Sequence, residues 1–204
     1  MEKGYRSGFA AIIGRPNVGK STLMNKMIGE KIAIISDKPQ TTRSRIQCVL
    51  TRENYQIVFI DTPGLHKPRN KLGEYMVNTA VSTLKEVDII LFVIDIAAGM
   101  GNGDKIIAEM LKDVDTPVIV VFNKKDKLST EDLEKEINKF TQSYSFSDSV
   151  AVSALTGENL DRLEEKILSY LPEGPQYYPS DMITDQPERI IIAEIIREKA
   201  LELL

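Results

Sequence analysis

At 204 residues, with 42% hydrophobic and 27% charged side chains, the chain has ordinary globular usage, which excludes collagen-like and disordered classes. Lys and Arg total 26 against 30 Asp and Glu, and the resulting net charge of −4 gives no field that draws the chain onto nucleic acid or anionic lipid. Cys48 and His66 are the only residues of their kinds, which excludes an internal disulfide and a Cys/His zinc site.

The amino-terminal MEKGYRSGF lacks the apolar core of a signal peptide, and no run approaches the ~18 apolar residues that span a membrane. A cytoplasmic protein is expected. The run Phe9–Ile13 reads as a first strand and the spacing of Leu23, Met27 and Ile28 after Lys20 as a first helix. Ser44–Leu50 reads as an extra strand, antiparallel to Tyr55–Asp61 across Thr51–Asn54; the apolar run inside that partner is Ile57–Ile60. Leu72, Met76, Ala80 and Leu84 predict a helix, Ile89–Ile94 a strand, and Ile106, Ile107, Met110 and Leu111 another helix. Val118–Phe122 is a strand, Leu133, Ile137 and Phe140 mark a helix, Val150–Val152 is a short strand, and Leu160, Leu163, Ile167 and Leu168 mark a helix. The strands are Ile/Val-rich without alternation, as in a parallel sheet covered on both faces by helices. From Pro172 to Pro187, four prolines and the pair Tyr177–Tyr178 read as an extended linker packed on a neighbouring surface, and helical patterning resumes over Glu188–Leu204.

Gly14-Arg15-Pro16-Asn17-Val18-Gly19-Lys20-Ser21, followed by Thr22, fits GxxxxGK[ST] between the first strand and first helix. Such a turn points successive N–H groups at anionic oxygens, and the helix dipole adds to the field. Lys20 is then placed to reach β- and γ-phosphates and Ser21 to bind Mg²⁺. Asp61-Thr62-Pro63-Gly64 closes the strand Ile57–Ile60 at the edge where ligands bind in such sheets; Asp61 can serve Mg²⁺, and the Gly64 N–H can approach a γ-phosphate. In Asn123-Lys124-Lys125-Asp126, the Asp126 carboxylate can accept the paired N–H donors of a guanine edge, which adenine lacks. Lys124 can lie along the base and Asn123 can tie this loop to the phosphate loop. Ser153-Ala154-Leu155 are small enough at their start for a backbone N–H to reach the guanine carbonyl. Pro39-Gln40-Thr41-Thr42-Arg43 offers a threonine that completes a Mg²⁺ shell only with γ-phosphate present, and spacing leaves Thr41 and Thr42 open.

In this order the four boxes resemble a Ras-like P-loop GTPase, and GRPNVGKST, QTTR, DTPGLHKPR and NKKD are most similar to the bacterial Era GTPases. That resemblance implies a three-layer α/β P-loop GTPase fold with a mostly parallel six-stranded sheet and one antiparallel edge strand. It implies a GTP-driven switch, with GTP and GDP as substrate and product and Mg²⁺ as cofactor, assisting assembly of the small ribosomal subunit. It places Lys20, Thr42 and Gly64 in catalysis, and Ser21, Thr42 and Asp61 on the metal. The nucleotide contacts would come from Gly14–Thr22, Asp61–Leu65, Asn123, Lys124, Asp126 and Ser153–Leu155. Leu65 stands where Ras-like enzymes have the glutamine that orients water, and it has no hydrogen-bonding atom, so slow intrinsic hydrolysis is expected. Asn17 either holds a potassium ion near the β–γ bridge or bonds the loop to itself; both readings stay open. Its alternative class is a nucleotide-gated scaffold with negligible hydrolysis, while Asn123 to Asp126 disfavour an ATP-dependent kinase.

The resemblance also divides the chain: residues 1–172 as the GTPase domain, 173–187 as linker, and 188–204 as the first helix of a KH domain that binds small-subunit ribosomal RNA. That helix is apolar on several sides, and the Gly-x-x-Gly loop of a KH domain is absent from the chain, so little RNA binding by these 204 residues is expected. Peripheral association with the inner face of the cell membrane is compatible with the absence of a spanning segment.

Overall fold

The computed structural model describes residues 4–30, 32, 46–61, 84 and 86–203. Its strands are β1 Arg6–Ile13, β2 Ile46–Arg52, β3 Tyr55–Asp61, β4 Ile89–Asp95, β5 Val118–Asn123 and β6 Asp148–Ala151. They form one six-stranded sheet in the order β2-β3-β1-β4-β5-β6, parallel except for the antiparallel β2–β3 pair. The helices among the described residues are α1 Lys20–Ile28, α2 Asn102–Leu111, α3 Thr130–Thr141, α4 Leu160–Tyr170 and α5 Glu188–Leu203. Short 3-10 turns follow β4 at Ile96–Ala98 and β5 at Lys125–Lys127. The expected helix positions Leu72, Met76 and Ala80 lie outside the described residues, as does the expected strand start at Ser44.

Alternate residues of each central strand enter different cores, which is why the strands show no polar alternation. Ala10, Ile12, Phe59, Leu91 and Val121 pack with Leu23, Met24 and Met27 of α1 and with Leu163 and Ile167 of α4. Ala11, Ile13, Phe92, Ile94 and Phe122 pack with Ile107, Ala108 and Leu111 of α2 and Phe140 of α3. The three layers follow directly. Several strand boundaries differ from the sequence expectation: β2 runs on through Thr51 and Arg52, which pair with Gln56 and Tyr55 where the sequence predicts a turn, and β4 and β5 each end one residue later, at Asp95 and Asn123. β1 begins at Arg6, because Arg6, Ser7 and Gly8 pair in register with Tyr55, Gln56 and Ile57 although none extends the apolar run. β6 is Asp148–Ala151, pairing with Ile119–Phe122, and Val152 lies past it, its N–H on the Phe122 carbonyl and its carbonyl accepting the Lys125 N–H.

The proline-rich stretch after α4 is held to the sheet. Gln56, fully buried, donates from Nε2 to the Tyr178 carbonyl and to Thr51 Oγ1, both at 2.9 Å, and accepts the Tyr177 and Tyr178 N–H groups at Oε1. The Tyr177 ring stands 5.2 Å from Phe9, and the Tyr178 hydroxyl donates to Gln47. Val49 N–H donates to the Ile183 carbonyl, so this strap covers the edge strand β2, whose unpaired groups would otherwise template association. Cys48, beneath the strap, is a packing residue: burial first, then Asp61 and Asp185, push its thiol up to about 12 against an opposing Thr184 bond. Beyond the strap, α5 leaves Ile190, Ile192, Ile195 and Ile196 between 37% and 64% exposed. No helix among the described residues is long and apolar enough to cross a membrane.

Candidate functional site at the carboxyl edge of the sheet

The carboxyl ends of β1, β3, β4 and β5 deliver Gly14, Asp61, Asp95 and Asn123 to one edge, where parallel α/β sheets bind ligands. The turn from β1 to α1 needs its two glycines. A Cβ on Gly14 would stand 2.4 Å from the Val93 carbonyl oxygen, and one on Gly19, at φ 96°, would stand 2.3 Å from Asn123 Nδ2. Asn17 takes the left-handed region at φ 65°, which asparagine tolerates better than most residues.

Lys20 opens α1 and is 7% exposed; its Nζ donates to the carbonyls of Gly14 at 3.2 Å and Arg15 at 3.1 Å. Burial holds its ammonium below the ordinary lysine value, and the Asp61 charge partly opposes this. Next to it, the Ser21 hydroxyl donates to Asp61 Oδ2 at 3.0 Å. The turn therefore holds a buried cation beside a pair of hard oxygen donors. Arg15 turns outward instead, its Nε 2.8 Å from Asp104 Oδ2.

Asn123 is 2% exposed and joins three segments. Its Nδ2 donates to the Val18 carbonyl at 2.8 Å, while Oδ1 accepts Ala154 N–H at 2.9 Å and Lys124 N–H at 2.8 Å. The predicted tie between this loop and the phosphate loop is present, and it extends to Ser153-Ala154-Leu155. Ala154 N–H is spent on Asn123 and Ser153 N–H on the Glu158 carbonyl, while Leu155 is 72% exposed. Lys124 sits at φ 66°, with Nζ 2.7 Å from Asp95 Oδ2 and 2.9 Å from the Asn17 carbonyl. Asp126 is exposed at the outer lip of this loop.

Gly14 to Thr22, Asp61, Asn123, Lys124, Asp126 and Ser153 to Leu155 thus gather at one edge of the sheet. Thr42, Thr62, Pro63, Gly64 and Leu65 lie outside the described residues, as do Thr41 and His66. Asp95 joins the site without belonging to any of the sequence motifs. It ends a buried apolar strand just as Asp61 does, and that parallel was a usable signal. Its Oδ1 caps the Ile96–Ala98 turn through Ala98 N–H while Oδ2 holds Lys124.

Comparison with known proteins agrees with this geometry. The family described as 50S ribosome-binding GTPase matches residues 9–124. GTPase Era of Alkaliphilus metalliredigens is 59% identical over 200 residues, covering 98% of this chain and 68% of the relative. GTPase Era of Caldanaerobacter subterraneus subsp. tengcongensis is 56% identical over 200 residues, 98% of this chain and 67% of the relative. Among solved structures, Era in complex with MgGDPNP and nucleotides 1506–1542 of 16S ribosomal RNA superposes with a TM-score of 0.90 at 44% identity, over 96% of this chain and 67% of that one. A point variant of Aquifex aeolicus Era bound to GDP·AlF4⁻ also gives 0.90, at 43% identity over 98% of this chain and 68% of that one. Matched in fold, in motif order and in sequence over nearly its whole length, the chain belongs to the Era family of GTPases, enzymes that hydrolyse GTP to GDP and phosphate.

Proposed function

We propose that this chain is the nucleotide-controlled part of a switch that acts on the small ribosomal subunit, loaded by GTP and reset by its hydrolysis. The observation that carries the reading is the Lys20 ammonium, buried and held only 3.1–3.2 Å from two carbonyls of a glycine-bounded turn, beside the Ser21–Asp61 pair. A cation so placed exchanges a carbonyl for a phosphate oxygen when nucleotide arrives, and the low-dielectric setting strengthens that contact. Asp126 reads the guanine edge, Lys124 packs along the base, and Asn123 keeps the base loop and the phosphate loop at a fixed separation. The Ser153–Leu155 loop offers the backbone donor to the guanine carbonyl.

The donor set suits Mg²⁺, an ion commonly held by one or two hard oxygen groups plus phosphate oxygens: the Ser21 hydroxyl and Asp61 carboxylate are 3.0 Å apart. Thr42 would join them when the γ-phosphate is present. Bound there, the ion would neutralise charge developing between the β- and γ-phosphates. Leu65 brings no hydrogen-bonding atom to the attacking water, so backbone groups such as the Gly64 N–H, cations or a partner orient it. We assign a potassium ion to the Asn17 side chain, in the role an arginine finger plays elsewhere.

The bound RNA and MgGDPNP of the Era complex support a ribosomal RNA partner and a Mg²⁺-nucleotide for this family. We assign residues 1–172 to the GTPase domain, 173–187 to the connection and 188–204 to the opening helix of a KH-type RNA-binding domain, with little RNA affinity in these residues alone. The setting is the cytoplasm, with peripheral contact at the inner face of the membrane. The test is binding of small ribosomal subunits by the full-length protein in GDP, GTP-analogue and nucleotide-free states. Binding that differs between GDP and the GTP analogue supports the switch; equal binding in all three states refutes it.

A further inference from the structure

Besides Ser21, which donates to Asp61, three residues of the phosphate loop are tied to other parts of the molecule. Val18 is tied by Asn123, and Asn17 by Lys124; both ties come from the base loop. The third comes from the turn that leads from β4 into α2, which contains none of the nucleotide motifs. Arg15 lies across it, with Nε 2.8 Å from Asp104 Oδ2 and Nη2 3.4 Å from the Gly99 carbonyl. Gly101 and Gly103 give it a flat bed: a Cβ built on the first would meet the guanidinium carbon at 3.5 Å and one on the second would meet Arg15 Cβ at 3.5 Å. Asp104 is completely buried, and its Oδ2 also accepts the Gly101 N–H at 2.9 Å, closing the start of α2.

A fully buried carboxylate is costly unless a charge meets it, so a helix start that needed only a cap would be served by Ser or Asn. The charge is used on Arg15, and Arg15 has two roles at once. Its main-chain carbonyl holds Lys20 Nζ at 3.1 Å while its side chain is bolted to Asp104. The backbone that faces the phosphates is therefore anchored from outside the motif.

We propose that Asp104 is a positioning residue of the phosphate loop, acting through Arg15 to hold the Gly14–Arg15 backbone in its phosphate-binding shape. Asp104 is outside the residues assigned to nucleotide and metal, and its side chain pairs with Arg15 and accepts the Gly101 N–H. The proposal rests on the assignment of residues 14–21 as the phosphate cradle. Loss of the anchor weakens the contribution of the β-phosphate and leaves recognition of the base intact, because Asn123 and Lys124 bond the loop at Val18 and Asn17, not at Gly14 or Arg15.

The experiment uses two variants of the full chain. Asp104→Asn keeps an oxygen to accept the Gly101 N–H and loses the charge, whereas Arg15→Gln removes the same pair and leaves the cap whole. Affinities for GDP and GMP are measured by displacement of N-methylanthraniloyl-GDP, well below the unfolding temperature of each variant. Each variant is expected to bind GDP about tenfold more weakly and GMP within about twofold of the parent, with the double variant no worse than the poorer single. Unchanged GDP affinity in both variants overturns the proposal, as does equal weakening of GDP and GMP, or losses that add in the double variant. A merely structural pair would change the unfolding temperature without moving the GDP-to-GMP ratio. If the parent itself shows no preference for GDP over GMP, the phosphate-cradle assignment falls and this proposal with it. A parent that prefers GDP and variants that match it overturn the anchor alone.

Discussion

Replacing Asn123 by Asp tests the joint on which the site is assembled. The substitution keeps Oδ1, which accepts Ala154 N–H at 2.9 Å and Lys124 N–H at 2.8 Å. It replaces the Nδ2 donor, 2.8 Å from the Val18 carbonyl, by an oxygen, so a favourable contact becomes a repulsive one. A buried acceptor left without its donor costs about 1–3 kcal/mol, or roughly 5- to 150-fold in an equilibrium that depends on it. The contact orients the phosphate loop, so the cost appears in GDP affinity. A further signature follows from the chemistry of the introduced group. A carboxyl 98% shielded from water and facing a carbonyl has its pKa raised, and once protonated it again donates to Val18. GDP affinity of Asn123→Asp should therefore recover as pH falls from about 8 toward 6, relative to the parent. Asn123→Ala loses all three hydrogen bonds, binds more weakly than the parent, and shows no such recovery. Titration with N-methylanthraniloyl-GDP across that pH range, with nucleotide-free thermal unfolding alongside, gives both readings. An Asn123→Asp protein that binds GDP as tightly as the parent at high pH would refute the linkage through Val18.

Other outcomes follow from single contacts. Asp126→Asn should exchange GDP for XDP preference, since an amide donor then faces the second exocyclic carbonyl of xanthine; competition by the two diphosphates checks it. Gln56→Leu removes four hydrogen bonds, three of them to the strap, and should lower urea stability by about 3 kcal/mol, with faster hydrogen exchange at Val49, Tyr177 and Tyr178. Burial draws the Asp148 carboxyl upward, but Lys166 Nζ at 2.6 and 2.7 Å and the Ser149 N–H outweigh it and hold Asp148 below the ordinary carboxylate value. A lowered folded-state value contributes stability above the unfolded value and loses it as pH falls through the lowered one. Lys166→Met should thus cost about 1 kcal/mol near neutrality and converge with the parent in acid, as followed by urea midpoints.

Much of this architecture was legible because its signals are local. A glycine-bounded turn between a buried strand and a helix, and polar residues closing Ile57–Ile60 and Val118–Phe122, each declare themselves within a few positions. Parallel β-strands buried on both faces are conspicuous for the same reason. Contacts between distant segments carry no such mark. Asp104 looks like any acidic residue in a first helical turn, and its partner lies 89 positions earlier. Gln56 interrupts no pattern, yet it fixes the strap that its proline content presents as a free linker. Ser7 and Gly8 join β1 only because Gln56 and Ile57 are opposite them, which a single strand cannot reveal.

The measurement closest to the central claim is single-turnover phosphate release by the full chain with Mg²⁺, from GTP and from ATP, in potassium and in sodium. The account predicts phosphate from GTP and none from ATP, slow without a partner because Leu65 cannot orient water, faster in potassium, with Asn17→Ala removing that difference. Lys20→Ala should abolish release from GTP. Equal rates in the two salts would remove the potassium assignment alone; release from ATP as fast as from GTP, or undiminished release by Lys20→Ala, would contradict the account of the site.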